Sequence, residues 1–300
     1  MNTSLVLGVA WPSTEGDPRL RVLDVSTQQV ENIDLRGARI GFEVLGTGRW
    51  CTGRVAFGAD GRSEYVACPK QSPVEAGSRC AECETKDDFR FVHTIHRSGF
   101  VSGGLEKHVM QPHWLYIATF ANGVHKVGTA ANTRKWGRLA EQGAICAHYV
   151  AWASDGKVIR VLEDRVTDEL QVRQAVRSSA KAAALALPVD SARLEDSTAS
   201  LAQRVRDMLV PEPEDSTFHT VNETWRVAGL RELSVGNRIE YPNELTSGAH
   251  GFTVDACVGQ AAVARIGDVS YVVDFTRLKG RRVRFGEYSS TLPAVQSALF

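Results

Sequence analysis

The sequence predicts an α+β protein, a small antiparallel or mixed sheet with packed helices, flanked by a cysteine-bearing segment and by β-rich units at both ends. Three observations predict it. Short apolar runs separated by turn clusters open and close the chain, helical periodicity is confined to its middle, and four of six cysteines crowd between positions 51 and 83. The divisions that follow are 1–50, a β-rich N-terminal unit; 51–112, the cysteine segment; 113–187, an α/β core; 188–215, a helix and acidic linker; and 216–300, a β-rich C-terminal unit.

In the first unit, Leu5 to Val9, Leu20 to Val25 and Ile40 to Leu45 read as strands, with Pro12 to Pro18 as a turn between the first two. The stretch Ile33-Asp34-Leu35-Arg36-Gly37 to Phe42 finds an echo in Leu278-Lys279-Gly280 to Phe285, for which a duplicated β unit is one reading. The run Leu5 to Trp11 lacks a preceding basic region and a small-residue cleavage site, so it reads as a strand rather than a signal peptide. No apolar run reaches the roughly 20 residues of a membrane span. A cytoplasmic protein with reduced thiols is expected.

The cysteines are therefore read as ligands, nucleophiles or core fillers. Cys80-Ala81-Glu82-Cys83 places two thiolates on one tight turn, half of a tetrahedral zinc site, and Cys51 and Cys68 supply the other half. His93 and His96 are alternative ligands, and Cys51 and Cys68 as small core residues is the competing reading. Glycines at 53, 58, 61 and 77 make the segment rich in turns and poor in core, where a structural metal substitutes for burial. Four protein ligands leave no open position for catalysis. Cys146 and Cys257 sit alone in apolar settings and read as core.

In the core, Trp114 to Phe120 and Val124 to Gly128 flank Asn122-Gly123, a hairpin signal, and Ala147 to Trp152 supplies a third strand. From Gly156 to Leu187 the chain reads as helical, with Val158, Ile159, Leu162, Val166 and Leu170 on one stripe and Pro188 closing it. Glu163 lies on the side of Ile159 and Val166, whereas Arg160, Asp164 and Asp168 populate the opposite face. A carboxylate at the edge of a buried stripe needs a partner: a metal, or an arginine from the loop. A second helix follows Asp190, an N-cap, and ends before the linker Pro211 to Asp215.

The ordered set His113-Trp114-Leu115-Tyr116-Ile117-Ala118, Lys126-Val127-Gly128-Thr129, Arg134, Arg138, Gln142-Gly143-Ala144 and a helix bearing Glu163 resembles the GIY-YIG nuclease superfamily. It is most similar to an uncharacterised bacterial branch in which a cysteine cluster precedes that core. The resemblance covers roughly residues 45–185. It implies that Tyr116 acts on the nucleophilic water, that Glu163 binds Mg2+ or Mn2+, and that Arg134 or Arg138 neutralises developing charge. His113, just ahead of the first strand, stands where it could reach the site. The sequence departs from the pattern at Lys126, which replaces the second signature tyrosine; a two-residue turn would aim it away from Tyr116 and a three-residue loop toward it.

Composition limits the substrate. Lys+Arg and Asp+Glu are equal at 35 each, so no global charge demands a polyanion. Residues 113–187 carry ten Lys+Arg against six Asp+Glu, which permits an anionic substrate without forming the basic stripe of a nucleic-acid channel. No nucleophile elbow, phosphate-cradling loop or dinucleotide fingerprint is present, and His108, His125 and His148 lack partner spacing. Three functions remain: a metal-dependent phosphodiester-cleaving enzyme, a biosynthetic or modifying enzyme for a small anionic metabolite, and a zinc-containing nucleic-acid or protein binding module.

Overall fold

The computed structural model describes residues 2–12, 15–92, 103–210 and 217–292. Strands β1 (Ser4–Ala10), β2 (Arg19–Asp24), β3 (Val30–Asp34) and β4 (Arg39–Val44) form the N-terminal meander. The cysteine segment holds a hairpin of β5 (Arg54–Phe57) and β6 (Ser63–Val66) and the short helices α1 (Ala81–Thr85), α2 (Phe89–Val92) and α3 (Gly103–Val109). The core follows as β7 (His113–Thr119), β8 (His125–Ala131), α4 (Lys135–Gln142), β9 (Cys146–Ala153), α5 (Gly156–Leu170), α6 (Ser178–Ala183), α7 (Ser191–Met208) and β10 (Phe218–Arg226). The chain ends through α8 (Leu230–Leu233), β11 (Ile239–Glu240), β12 (Gly248–Val258), β13 (Ala261–Ile266), β14 (Val269–Asp274) and β15 (Arg282–Phe285). The architecture is α+β and its sheets are antiparallel except where β11 joins β14. No helix among the described residues is long and apolar enough to cross a membrane.

The strands of the two flanking units share one nine-stranded sheet, in the order β11-β14-β13-β12-β4-β15-β1-β2-β3. The sequence echo explains this order. Leu35 and Leu278 are both fully buried, Gly37 and Gly280 both take the left-handed conformation (φ 72° and 79°), and Ala38 and Arg281 close the same turn by donating to Leu35 and Leu278. Gly37 donates to Val254 as Gly280 donates to Val6, and β1 and β12 carry register shifts at matching places, Val6/Gly8 and Val254/Ala256. The two meanders are thus related by a pseudo-twofold axis between β4 and β15, and each lends its fourth strand to the other's first. β10, from the second flanking segment, leaves this sheet and completes the core.

The core sheet runs β10-β9-β7-β8. Alternation along β7 sends Leu115 and Ile117 to the face covered by α5 and α7, where Ile159, Leu162, Val166, Ala202 and Val205 pack. Each such burial stabilises by about 1.5–3 kcal/mol. Tyr116, Ala118 and Phe120 point the other way, into the layer shared by α4 and the nine-stranded sheet. Asp155 caps α5 by accepting from Lys157 and Val158, and Asp190 caps α7 by accepting from Arg193.

The continuous helix expected from Gly156 to Leu187 breaks instead. Gln171 turns left-handed (φ 56°) and the chain runs extended so that Arg173 O accepts from Val127 N, covering the open edge of β8 before helix resumes at Ser178. An unpaired edge strand outweighs helical periodicity there. The expected linker from Pro211 to Asp215, and the alternative ligands His93 and His96, lie outside the described residues.

Candidate functional site

The hairpin loop decides the orientation of Lys126. Phe120 N bonds Val124 O and Gly123 is left-handed (φ 75°), so Ala121-Asn122-Gly123 is a three-residue loop. Ala118 then pairs with Lys126 and Tyr116 with Gly128, which puts Lys126 and Tyr116 on one face. Gly128 makes the slot for the tyrosine: a Cβ there would stand 2.5 Å from the Tyr116 hydroxyl.

Gln142, at the end of α4, joins the group together. Its Nε2 donates to the Tyr116 hydroxyl at 2.6 Å, its Oε1 accepts from Lys126 Nζ at 2.5 Å, and its carbonyl accepts from Lys181 Nζ at 2.7 Å. Gly143, left-handed, ends the helix directly behind it. Burial, then the charges of Arg138 and Lys181, pushes the Lys126 ammonium down to about 8, and burial followed by Arg138 does the same for Lys181, to about 8. Burial pushes the phenol of Tyr116 up, while Arg138 and the Gln142 bond act against it.

Glu163 is buried, as its place on the helix implies, and the arginine that pairs with it comes from its own helix rather than from the loop. Arg160 Nη1 donates to Glu163 Oε2 at 2.6 Å, with only 13% and 6% of the two side chains exposed. This corrects the placement of Arg160 on the solvated face with Asp164 and Asp168. Asp168 is exposed there, but the guanidinium of Arg160 lies in a cleft against His113, closed by Phe89 and His108 from the cysteine segment, a layer that a helical wheel cannot see. α5 runs along the β8 edge, so Arg160 and Glu163 act electrostatically on Tyr116 and Lys126 around that edge.

The cleft has a volume of about 110 Å³. His113 stands at its wall as the first residue of β7 rather than before the strand. Its Nδ1–H donates to Gln111 O at 2.8 Å, Gly156 leaves room for its ring, and burial pushes it down to about 4. Arg134 is ion-paired with Glu141. Arg138 reaches the cleft with no hydrogen bond or ion pair among the described residues. The structure therefore brings Tyr116, Lys126, Arg138, Glu163 and His113 together, keeps Arg134 engaged at the rim, and adds Gln142, Lys181, Arg160, Glu141 and His108. Gln142 belongs to the ordered motif set with no role attached to it there, and its place one helical turn after Arg138 is the signal that points to one. Lys181 and His108 carry no such signal.

The residues around Glu163 do not fit a resident divalent ion. The carboxylate is held by Arg160 and acts on the nearby ammonium of Lys126. The cysteine segment does fit a metal. The sulfurs of Cys51, Cys68, Cys80 and Cys83 lie within 4.8 Å of one another, and among the described residues they form the one such ligand group. Burial pushes the Cys51 and Cys83 thiols up, whereas the Cys83 backbone N–H holds Cys80 down to about 7. Buried thiols packed this closely ionise together only with a cation among them. Cys146 and Cys257 are buried in the apolar core, as their surroundings imply.

A family model described as a protein of unknown function (DUF2797) matches residues 54–229. No curated protein and no solved structure matches the chain.

Proposed function

Because that match spans more than half of the sequence, the chain belongs to the DUF2797 family, and from that premise we propose that it is an enzyme with a GIY-YIG-like core acting on an anionic ester, a phosphodiester by the resemblance of its motifs. The observation that carries this reading is Arg138. A guanidinium with no partner among the described residues, in a cleft that also holds Arg160 and backs onto Lys126 and Lys181, is an electrostatic arrangement that an anion completes. Arg138 and Arg160 would bind the phosphate oxygens and neutralise charge developing on them. Lys126, with its pKa brought near neutrality and its ammonium fixed by Gln142, is the group suited to giving up or supplying a proton. Tyr116, fully buried and hydrogen-bonded to Gln142, holds that amide in place and has no direct access to solvent water.

The test is hydrolysis of bis-p-nitrophenyl phosphate and of labelled DNA and RNA, with and without Mg2+ or Mn2+. Arg138→Ala should lower the rate by about 100-fold, the scale of losing one preorganised charge-stabilising donor; undiminished activity would sink the assignment. The small volume of the cleft favours a second reading, in which the anion is a small metabolite. Turnover of the small ester with no cleavage of either polymer would select it.

For the cysteine segment we infer a structural zinc ion held by Cys51, Cys68, Cys80 and Cys83. Sulfurs at the corners of a zinc tetrahedron stand about 3.8 Å apart, and Cys68 and Cys80 are 3.9 Å apart. Metal analysis of purified protein should find one zinc per chain, lost in Cys83→Ala.

A further inference from the structure

The Arg138 cleft does not end at Arg138. Glu141 lines it and also lines a second cleft of about 190 Å³, which lies between β1, the cysteine segment and the start of the last strand. Arg21 and Lys279 face that second space. Each lacks a carboxylate partner among the described residues: Arg21 lies over the ring of Tyr65 at 4.7 Å, and the nearby Asp87 is taken by Arg79. The placement is built into the fold. The register shift in β1 sets Gly8 opposite Arg21, and a bulge of this kind re-aims the side chains beside it. Lys279 belongs to the repeat turn of the second meander, at the place that Arg36 holds in the first, where Arg36 is ion-paired to Asp17 and Glu232. Equivalent positions in the two meanders thus carry an ion-paired cation and one with no carboxylate partner among the described residues.

The two clefts are electrically joined. Arg134 and Glu141, the ion pair on the ridge between them, both act on Arg21, and Arg134 also acts on His108 at the far wall of the first cleft. Among the described residues neither half-buried Arg21 and exposed Lys279 on one side nor half-buried Arg138 on the other has an ion pair, and Glu141, which lines both clefts, is committed to Arg134. Positive charge gathered in this way is stabilised by bound anions.

We propose that Arg21 and Lys279 form a second anion subsite, so that the ligand of this protein carries at least two phosphate groups, one at Arg138 and the next at Arg21 and Lys279 beyond the Arg134–Glu141 ridge. This rests on the proposed anion role of Arg138 for the first group alone. Two of the cations come from outside the core, so the ligand would span the core and the nine-stranded sheet. Phosphates joined in a chain occur in a nucleic-acid strand and in free polyphosphate, and both present the same oxygens.

Calorimetric titration of the full chain with orthophosphate, with inorganic tripolyphosphate and with a single-stranded DNA octamer tests the proposal. Tripolyphosphate or the octamer should bind at least about 10-fold more tightly than orthophosphate, and Arg21→Gln with Lys279→Gln should remove most of that advantage while orthophosphate still binds at Arg138. Arg21→Lys should keep it, which separates charge from fold. Loss confined to the octamer identifies a strand as the source of the phosphates, and loss confined to tripolyphosphate identifies free polyphosphate. An advantage for both probes that survives the double substitution overturns the second subsite. Orthophosphate binding unchanged in Arg138→Ala overturns the first subsite instead, and leaves the second to stand on its own arm.

Discussion

Substitution of Gly128 by alanine tests the arrangement around Tyr116 most directly. Gly128 has no need of glycine's conformational freedom, since its φ is not positive; it is required because the tyrosine ring lies against it. The added methyl would stand 2.5 Å from the hydroxyl, 2.7 Å from Cζ and 2.9 Å from Cε2, and the ring is fully buried with nowhere to retreat. Overpacking of this kind together with loss of the Gln142 hydrogen bond should destabilise the chain by about 2–4 kcal/mol. Urea unfolding measures it, read as a change in midpoint at constant slope. In a Tyr116→Leu background the slot is empty, so the same glycine substitution should cost about 1 kcal/mol less or better. Equal costs in both backgrounds would show that the tyrosine does not occupy the slot, and the site built on it would fail with it.

Other consequences can be checked separately. Glu163→Ala strands the Arg160 guanidinium in a buried position and should destabilise by about 3–5 kcal/mol in thermal or urea unfolding. The folded-state pKa of Lys126 and of Lys181 lies below the unfolded value, so the unfolded chain binds more protons between about pH 8 and 10.5; stability should rise across that window, and Lys126→Met should flatten the rise. His113, held down to about 4, makes the unfolded chain the better proton binder between about pH 4 and 6.5, so stability should fall as pH drops through that range, and less so in His113→Gln. If the four cysteines Cys51, Cys68, Cys80 and Cys83 hold the inferred zinc ion, chelation should raise amide exchange across 50–88 well before it affects β7.

The parts legible in the sequence are those fixed by local chemistry. Cys80 and Cys83 announce a ligand pair by spacing alone, Asp155 and Asp190 sit where helix caps must, and Glu163 is buried because its neighbours at three- and four-residue intervals are. The orientation of Lys126 depended on whether the loop held two residues or three, which the Asn122-Gly123 pair leaves open. Arg160 was misplaced because the helix is covered on two sides, by its own sheet and by a segment ending near residue 109. Lys181 and Arg21 reach the clefts only through tertiary folding, from helix and strand positions with nothing distinctive about them. The echo between Leu35-Arg36-Gly37 and Leu278-Lys279-Gly280 was readable, but the exchange of strands across it was not, since pairing order has no local signature.

That exchange governs when the protein can be made whole. β4 waits for β12, and β1 waits for β15, so the partner of Ser4 is Val283 and the amide of Val9 is held by Gln260, 251 positions later. On the ribosome the core from His113 to Arg226 is complete first, while β1 stands as an open edge of the β1-β2-β3 set and β4, whose neighbours are β12 and β15, has no strand partner. Closure waits until β15, ending at Phe285, has left the ribosome. Folding should therefore be slow and dependent on chaperones, in the manner of chains dominated by distant contacts, and a chain truncated before Arg282 should aggregate through those edges even though its core is intact.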